Sequence, residues 1–435
     1  MAVPPYDTRV PAVLVRLDRN PFHHGTLGAA RSLGRAGIPV HAVVESRDSP
    51  VARSRYVRSV RARPASAAST ELAALLLRIA GEITDTPSAP VLAVPLDDVS
   101  ALALARRRTE LAGRILLPDR TEDQLLRVAD KARLAEVCAE LGLPHPRTEL
   151  PADADEAAAM AWSLGLPVVA KWSRPWLLPA GSGLRSTTIL RSPAEVRELY
   201  RRTPQAGSPL LLQELLPPGR DLDWFFHGYA DSAGRCAAGA TGRKERSWPD
   251  GAGLTAVGRW TPNPEVDRLA RGLLEALGHR GVCDLDFRLD RDTGAYHLLD
   301  FNPRPGAQFR LFADRRGLDV VRALHLDLTG RPVPPLAPAY GRRFVVENYA
   351  ALSLLASPRR RYAPEPGAAR GPAERAWFAA DDPAPALAMG RAWLAHLLRR
   401  ALAAVRRRLA ARRPRHPAAL PRPAGRPSST QLTQR

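Results

Sequence analysis

The sequence predicts an α/β domain with a parallel sheet, then an α+β unit, then a basic helical extension at the C-terminus. Three observations carry this. Short apolar strands alternate with helical runs over residues 11–113, which implies a parallel sheet covered by helices. From Pro118 the pattern changes to strands joined by short turns, with single helices between them. Beyond Pro383 an apolar helical stripe lies in a stretch holding twelve arginines and no acidic residue.

In chain order, Pro11–Leu17 and Ile38–Glu45 read as strands around a helix with apolar residues at Leu27, Ala30 and Leu33, closed by Gly37. Ser54–Val60 reads as a third strand. A helix over Ser69–Thr84, with Thr70 as N-cap, leads to the strand Val91–Asp98 and a helix reaching Gly113. A single helix spans 120–142, stopping at Gly142 before Pro144 and Pro146. Leu166–Trp172 is a strand, followed by a glycine-bearing loop, a helix over Pro193–Arg202 and the apolar strand Pro209–Leu216. Asp221–Tyr229 and Arg235–Gly242 form a hairpin about the turn DSAG. After a helix over Pro264–Leu277, CDLDFRL and YHLLDFNPRPG are strands joined by DRDTG. Arg342–Ala350 gives the last strand signal, and a helix runs from Pro385 to Arg413. The segments read as 1–117, 118–335, an extension over 336–413 and a Pro- and Ser-rich tail, 414–435, of disordered composition.

The bulk numbers bound the function. With 435 residues, 45% apolar and 25% charged, the chain suits several packed domains and excludes wholesale disorder or a collagen-like fibre. Cys138, Cys236 and Cys283 form no CxxC pair, which argues against a disulfide framework or zinc site and fits a cytoplasmic protein. The N-terminus lacks the apolar core of a signal peptide, and no apolar run reaches spanning length. Of the net charge of +20, the segment from Pro383 carries +12, so the body is only mildly basic and nucleic acid is an unfavoured partner. Only three of the 64 basic residues are lysines: Lys131, Lys171 and Lys244. Ammonium and guanidinium are not equivalent, so a chain poor in lysine can keep it where a compact charge is needed.

Four segments carry candidate chemistry. Lys171 ends a strand before a loop with Gly181 and Gly183, a pattern that can cradle an anion. Gln213 and Glu214 end an apolar strand that can wall an adenine ring, with Asp221 or Asp223 placed for ribose hydroxyls. Arg243 and Lys244 lie side by side, suited to polyphosphate. Asp286 and Asp300 stand on strands joined by a short turn, with Asn302 on the face of Asp300, an oxygen-donor set suited to Mg²⁺. Each of the first three alone has an ordinary explanation as a loop or strand end. A D-x-N-P-R run closing an apolar strand is harder to explain as structure alone.

In order, Lys131, Lys171, Gln213–Glu214, Lys244, Asp286, then Asp300, Asn302 and Arg304 resemble the ATP-grasp superfamily of carboxylate–amine ligases. GRKERSWP and LLDFNPRPG are most similar to the branch containing D-aspartate ligases. The resemblance covers roughly residues 10–335. It implies a pre-ATP-grasp domain over 1–117 and an ATP-grasp domain over 118–335 built of two α+β subdomains, the lid lying at about 145–208. It also implies ATP as cosubstrate, with two Mg²⁺ ions that Mn²⁺ can replace. By the resemblance, Lys131 and Lys171 meet the α- and β-phosphates, and Lys244 or Arg243 the γ end. Gln213, Glu214 and the Leu216 backbone hold adenine, and Asp221 the ribose. Asp286, Asp300 and Asn302 ligate the metals, Arg304 stabilises the acyl phosphate and the tetrahedral species, and the Gly181–Gly183 loop closes over the phosphates. Asp rather than Glu at 286 and 300 departs from the common pattern, and shorter arms require closer strands or a water in the metal shell.

The implied activity is amide or peptide bond formation from small carboxylate and amine substrates through an acyl phosphate, releasing ADP and phosphate. Two alternatives stand beside it. One is an enzyme of the same fold with a non-amine acceptor, disfavoured by the lack of a biotin-attachment MKM signal. The other is a non-catalytic nucleotide-binding scaffold. The C-terminal helix either packs on the body or lies on the anionic inner face of a membrane. A homodimer is compatible with the sequence.

Overall fold

The computed structural model describes residues 5–65, 69–249, 253–356 and 371–411, with side-chain surroundings up to 402. The Arg359–Arg361 charge run and the 414–435 tail lie outside the described residues.

The N-terminal layer is β1 (Ala12–Val15), α1 (His24–Arg35), β2 (Val40–Val44), β3 (Val57–Ala62), α2 (Ser69–Ile83), β4 (Val91–Pro95), α3 (Asp98–Arg106), α4 (Arg108–Leu111) and β5 (Ile115–Leu116). The strands form an all-parallel sheet in the order β3-β2-β1-β4-β5. β1, β2 and β4 are buried throughout, as expected of strands covered on both faces. Two expectations shift. Thr70 sits inside the first turn of α2 and is not its cap, and the helix after β4 breaks at Arg107.

The helix expected over 120–142 is two: α5 (Glu122–Ala129) and α6 (Lys131–Glu140). The break is Asp130, whose backbone is extended at ψ 119° and whose carboxylate accepts from the Ala132 amide at 3.1 Å. The same carboxylate accepts from Ser173 Oγ and from Arg174 Nε at 2.6 Å. An aspartate that caps a new helix offers its amides a better partner than continuing the old one would. The break sets Lys131 at the first position of α6, against the end of the strand carrying Lys171.

Next come β6 (Thr148–Glu149), α7 (Ala154–Leu164), β7 (Val168–Trp172), β8 (Thr187–Leu190), α8 (Pro193–Tyr200), α9 (Thr203–Ala206) and β9 (Leu210–Glu214). They give a four-stranded antiparallel sheet in the order β6-β9-β7-β8. The remaining elements are β10 (Asp223–Ala230), β11 (Cys236–Trp248), β12 (Leu254–Trp260), α10 (Pro264–Ala276), β13 (Gly281–Leu289), β14 (Tyr296–Asn302), α11 (Val320–Leu328), β15 (Arg343–Val345), α12 (Glu347–Ala356), β16 (Ala373–Arg375) and α13 (Ala384–Ala411). Seven strands pair in the order β14-β13-β10-β11-β12-β15-β16.

β11 runs to Trp248, so Arg243 and Lys244 lie in a strand and not in a basic loop after one. β12 had no sequence signal of its own, and the strand expected to reach Ala350 turns helical at Glu347. The sheet runs on past residue 335 through β15 and β16. Among the described residues no helix is long and apolar enough to cross a membrane. Contacts along the chain divide it into Met1–Met389 and Gly390–Arg435. In the second unit Leu394, Leu398 and Leu402 of α13 are exposed.

Residues 371–382 bind back onto the N-terminal layer. Arg31, buried in α1, donates to Asp382 Oδ2 at 3.0 Å and to the carbonyls of Trp377 and Asp382 at 2.7 and 2.8 Å. Asp382 also accepts from Ser54 Oγ at 2.7 Å and the Arg55 amide at 2.9 Å. Removing one side of a buried ion pair strands the other charge. Asp382→Ala should therefore cost about 3 kcal/mol in chemical denaturation; an unchanged midpoint would show that this clasp does not hold the segment.

Candidate active site

The β13–β14 hairpin has two chemically distinct faces. Leu285, Phe287, Leu298 and Phe301 join a core with Leu134 and Val137 of α6 and Val266 and Leu273 of α10. Strand alternation then sends Asp284, Asp286, Asp300 and Asn302 to the other side. The register pairs Asp286 with Asp300 and Asp284 with Asn302, so four oxygen-bearing groups sit in two opposed pairs. Between Asp286 and Phe287 the register shifts, leaving Leu299 without a ladder partner, and the Leu299 carbonyl accepts from Lys171 Nζ at 2.9 Å.

This face borders a cleft of about 380 Å³ between the seven-stranded sheet, the four-stranded sheet and the start of α1. Lys131, Lys171 and Lys244 all line it. Lys131 pairs with Asp300, and Lys244 Nζ lies 3.7 Å from Asp286 Oδ1. Among the described residues the carboxylates do not gather into a three-ligand cluster; Asp286 and Asp300 are each turned toward a lysine, and Asp284 lies 3.0 Å from His227 Nε2. Arg304 follows the hairpin. Its guanidinium donates to Asp98 Oδ1 at 3.2 Å and Asn302 Oδ1 at 3.1 Å and lies 3.9 Å from Asp284 Oδ2. It thereby joins the N-terminal layer to the hairpin. Gly306 allows the chain to pass here: an added Cβ would lie 2.3 Å from His227 and 2.4 Å from Asp284.

The electrostatics follow from crowding in a poorly hydrated site. Burial lowers Lys171 to about 8, with Asp300 working the other way. Burial raises Asp286 to about 6 despite Lys244, with Asp284 and Asp300 adding to the shift. For Asp300 burial opposes ionisation, but Lys131 and Lys171 together hold its pKa below the ordinary value. For Arg304 burial is outweighed by Asp98, Asp284 and Asp300, which raise it.

The other sequence candidates lie outside the cleft lining. Glu214 pairs with Arg147 at 3.0 Å, and Gln213 Nε2 donates to Thr148 Oγ1 at 3.0 Å, so both side chains are engaged. Leu216 is buried and its carbonyl accepts from Arg288 Nη1 at 3.1 Å. Asp221, at φ 64°, lies 3.4 Å from Arg243, which packs over Trp224. Of the adjacent basic pair, Lys244 faces the cleft and Arg243 does not. Gly181 and Gly183 have φ of 79° and 74° in the loop before β8, with open space where side chains would be.

The sequence reading missed Asp284, Asp98 and Tyr349, all of which line the cleft. Asp284 had a signal, since it lies two residues before Asp286 on one strand. Asp98 and Tyr349 come from elements whose approach to the hairpin no local pattern announces. His24, which also lines the cleft, falls within residues 20–26, where the sequence reading sets the carboxylate pocket without singling out a residue.

Against known structures, the chain superposes on the ADP complex of an N5-carboxyaminoimidazole ribonucleotide synthetase with a TM-score of 0.55 at 13% identity, covering 77% of this chain and 80% of that one. It superposes on a biotin carboxylase from Campylobacter jejuni with a TM-score of 0.56 at 14% identity, covering 77% and 74%. The chain has the ATP-grasp fold. No family model matches it. In sequence, the chain is 23% identical over 256 residues to a D-aspartate ligase of Enterococcus faecium, a match covering 57% of the chain and 61% of that protein. It is also 23% identical over 210 residues to the N-terminal section of the carbamoyl phosphate synthase large chain of Methanopyrus kandleri, covering 46% and 36%. The matches thus span less than two thirds of these relatives.

The low pKa of Lys171 gives a pH dependence with a definite sign. The ammonium is present below about 8 and lost above it, so ADP affinity measured by calorimetry should weaken as pH rises from 7 to 9.5. Affinity that stays level, with Lys171→Ala equally level, would exclude contact between Lys171 and phosphate.

Proposed function

We propose that the protein is an ATP-dependent ligase that activates a carboxylate as an acyl phosphate and passes the acyl group to an amine, releasing ADP and phosphate. The observation that carries this reading is the meeting of all three lysines with Asp286, Asp300, Asn302 and Arg304 on one cleft. Structural ion pairs alone would not gather every lysine of an arginine-rich chain at one place.

In this reading Lys131 and Lys171 hold the α- and β-phosphates and Lys244 the γ end. Their present partners, Asp300, the Leu299 carbonyl and Asp286, act as placeholders for the nucleotide. Asp286, Asp300 and Asn302 would hold Mg²⁺, or Mn²⁺ in its place, as one or two ions. The donors fit: they are hard oxygen ligands, and burial, with Asp284 and Asp300 adding to it, raises the pKa of Asp286, so a cation beside it would be favourable. The metal, when bound, neutralises charge at the transferring phosphoryl group. Gln213 and Glu214 are occupied, which leaves adenine to the apolar wall and main chain about Leu216, with Asp221 near the ribose.

A carboxylate oxygen of the substrate attacks the γ-phosphorus and the bond to the β-phosphate oxygen breaks, giving ADP and the acyl phosphate. Arg304 lies beside Asn302 and Asp284, placed to neutralise the acyl oxygen as the amine adds to the carbonyl carbon. Phosphate then leaves with one oxygen of the original carboxylate, and the amine gives up a proton. The Gly181–Gly183 loop shields the acyl phosphate from water.

The test starts with a screen of acids and amines for substrate-dependent ADP release, followed by ¹⁸O in the carboxyl group. Label should appear in the released phosphate; its absence would rule out the acyl phosphate. Lys171→Ala and Asp300→Ala should each lower turnover by about 10² or more, as loss of one charge at a transferring group does, with melting temperature little changed. Normal turnover in either would refute the site.

The exposed leucines of α13 and the arginines Arg391, Arg399 and Arg400 on the same helix support a peripheral contact with anionic lipid. Vesicles containing phosphatidylglycerol should pellet the full chain and not a truncation at Ala384. Equal pelleting would exclude this role.

A further inference from the structure

We propose that the start of α1, with Tyr349 and Arg304, is the seat of the carboxylate substrate, and that it takes a small monocarboxylate with an aromatic or uncharged body, positioned by His24. The inference rests on the ligase reading and narrows its substrate class.

α1 opens at the cleft. His23 is its N-cap, with Nδ1 accepting from the Thr26 amide at 3.2 Å, and both His23 and His24 line the cavity. A Cβ added at Gly25 would lie 2.8 Å from Ala307 Cα, so the helix end is pressed against the chain that follows Arg304. Arg304 and the positive end of a twelve-residue helix therefore face one space, which suits a carboxylate.

His24 is the second, independent sign of a ligand. It is 6% exposed, and neither ring nitrogen has a hydrogen-bond partner. Its ring is held among Phe344 at 5.9 Å, Tyr349 at 6.4 Å and Trp377 at 6.4 Å. Two unsatisfied nitrogens in so closed a place are costly unless something fills them. Burial brings the pKa of His24 down to about 4, so the ring is neutral at pH 7 and can donate at one nitrogen and accept at the other.

Charge then selects the substrate. Among the described residues, the cations lining the cleft are Lys131, Lys171, Lys244 and Arg304. The lysines face the triphosphate and Arg304 faces the reacting carboxylate. Arg16, close by, is already buried against Asp18 at 2.6 Å and Glu45 at 3.2 Å. Among the described residues no further cation lines the cleft to meet a second carboxylate, and an uncompensated charge in such a site is expensive. Phe22 and Tyr349 instead give the cleft an aromatic lining. The substrate class therefore differs from the dicarboxylate in the name of the D-aspartate ligase to which the chain is similar.

The experiment is calorimetry on the full chain saturated with MgADP. The probes are benzoate, 3-phenylpropionate, L- and D-phenylalanine and L-glutamine, set against succinate and D-aspartate. At least one of the first group should bind tenfold or more tighter than either dicarboxylate. His24→Phe should weaken that acid by about tenfold and His24→Gln by no more than about threefold, as loss and retention of a buried hydrogen bond do. MgADP affinity should be unchanged in both. If Phe is not accommodated, shown by lost MgADP binding, the ranking of acids on the wild type and on His24→Gln decides. The proposal is overturned if succinate or D-aspartate binds as tightly, if no probe binds while MgADP does, or if His24→Phe keeps full affinity. In each of those cases the ligase reading stands. Failure of MgADP itself to bind removes the ligase reading, and the substrate proposal with it.

Discussion

Everything in the cleft depends on the register of one hairpin. Pairing Asp286 with Asp300 and Asp284 with Asn302 puts three carboxylates and an amide on a single face, with an apolar core directly behind them. Like charges at that spacing repel, and partial burial makes each harder to ionise. The arrangement persists because cations arrive from elsewhere: Lys131 from α6, Lys171 from β7, Lys244 from β11 and Arg304 from the chain after β14. The pKa values show the balance as incomplete. Asp300, with two lysines, sits below its ordinary value, and Asp286, with one more distant lysine, sits above it.

Such an array is a weak source of stability and a good receptor. Ion pairs in a partly dry site gain little over apolar packing, but they can be exchanged for a ligand carrying both signs of charge. A magnesium–triphosphate offers anions to the lysines and a cation to the aspartates at once. The rest of the fold serves to aim these groups. Asp130 breaks a helix so that Lys131 starts a new one beside Ser173. The bulge at Leu299 frees a carbonyl for Lys171. The clasp of Arg31 on Asp382 holds residues 371–382 against α1, and with them Trp377, which backs His24.

Of the net charge of +20, the segment from Pro383 carries +12 and so says little about the cleft. Arginine fills ion pairs both at the surface and in the interior, Arg31 with Asp382 among them, while each lysine lines the cleft, where a compact charge with a movable pKa is useful. Lys171, near 8, illustrates a property that guanidinium lacks.

Much of this was legible in sequence. Strand alternation placed Asp300 and Asn302 together, glycine and proline marked the turns, and the order of charged motifs pointed to the ATP-grasp fold. Those signals are local, set by backbone periodicity and turn chemistry. What local pattern could not carry was anything set by packing between distant elements. Asp130 looked like one more helical residue because its partners, Ser173 and Arg174, lie in the distant segment that follows β7. Arg243 and Lys244 looked equivalent until β11 sent them to different neighbours. In sequence His24 is only a polar residue ahead of an apolar helical run, and the approach of Phe344, Tyr349 and Trp377 makes it a buried, unpartnered imidazole. The sequence alone determined which chemical groups the protein owns and which face of each strand they occupy. The tertiary structure decided which of them meet, because burial and pairing are properties of the space between elements.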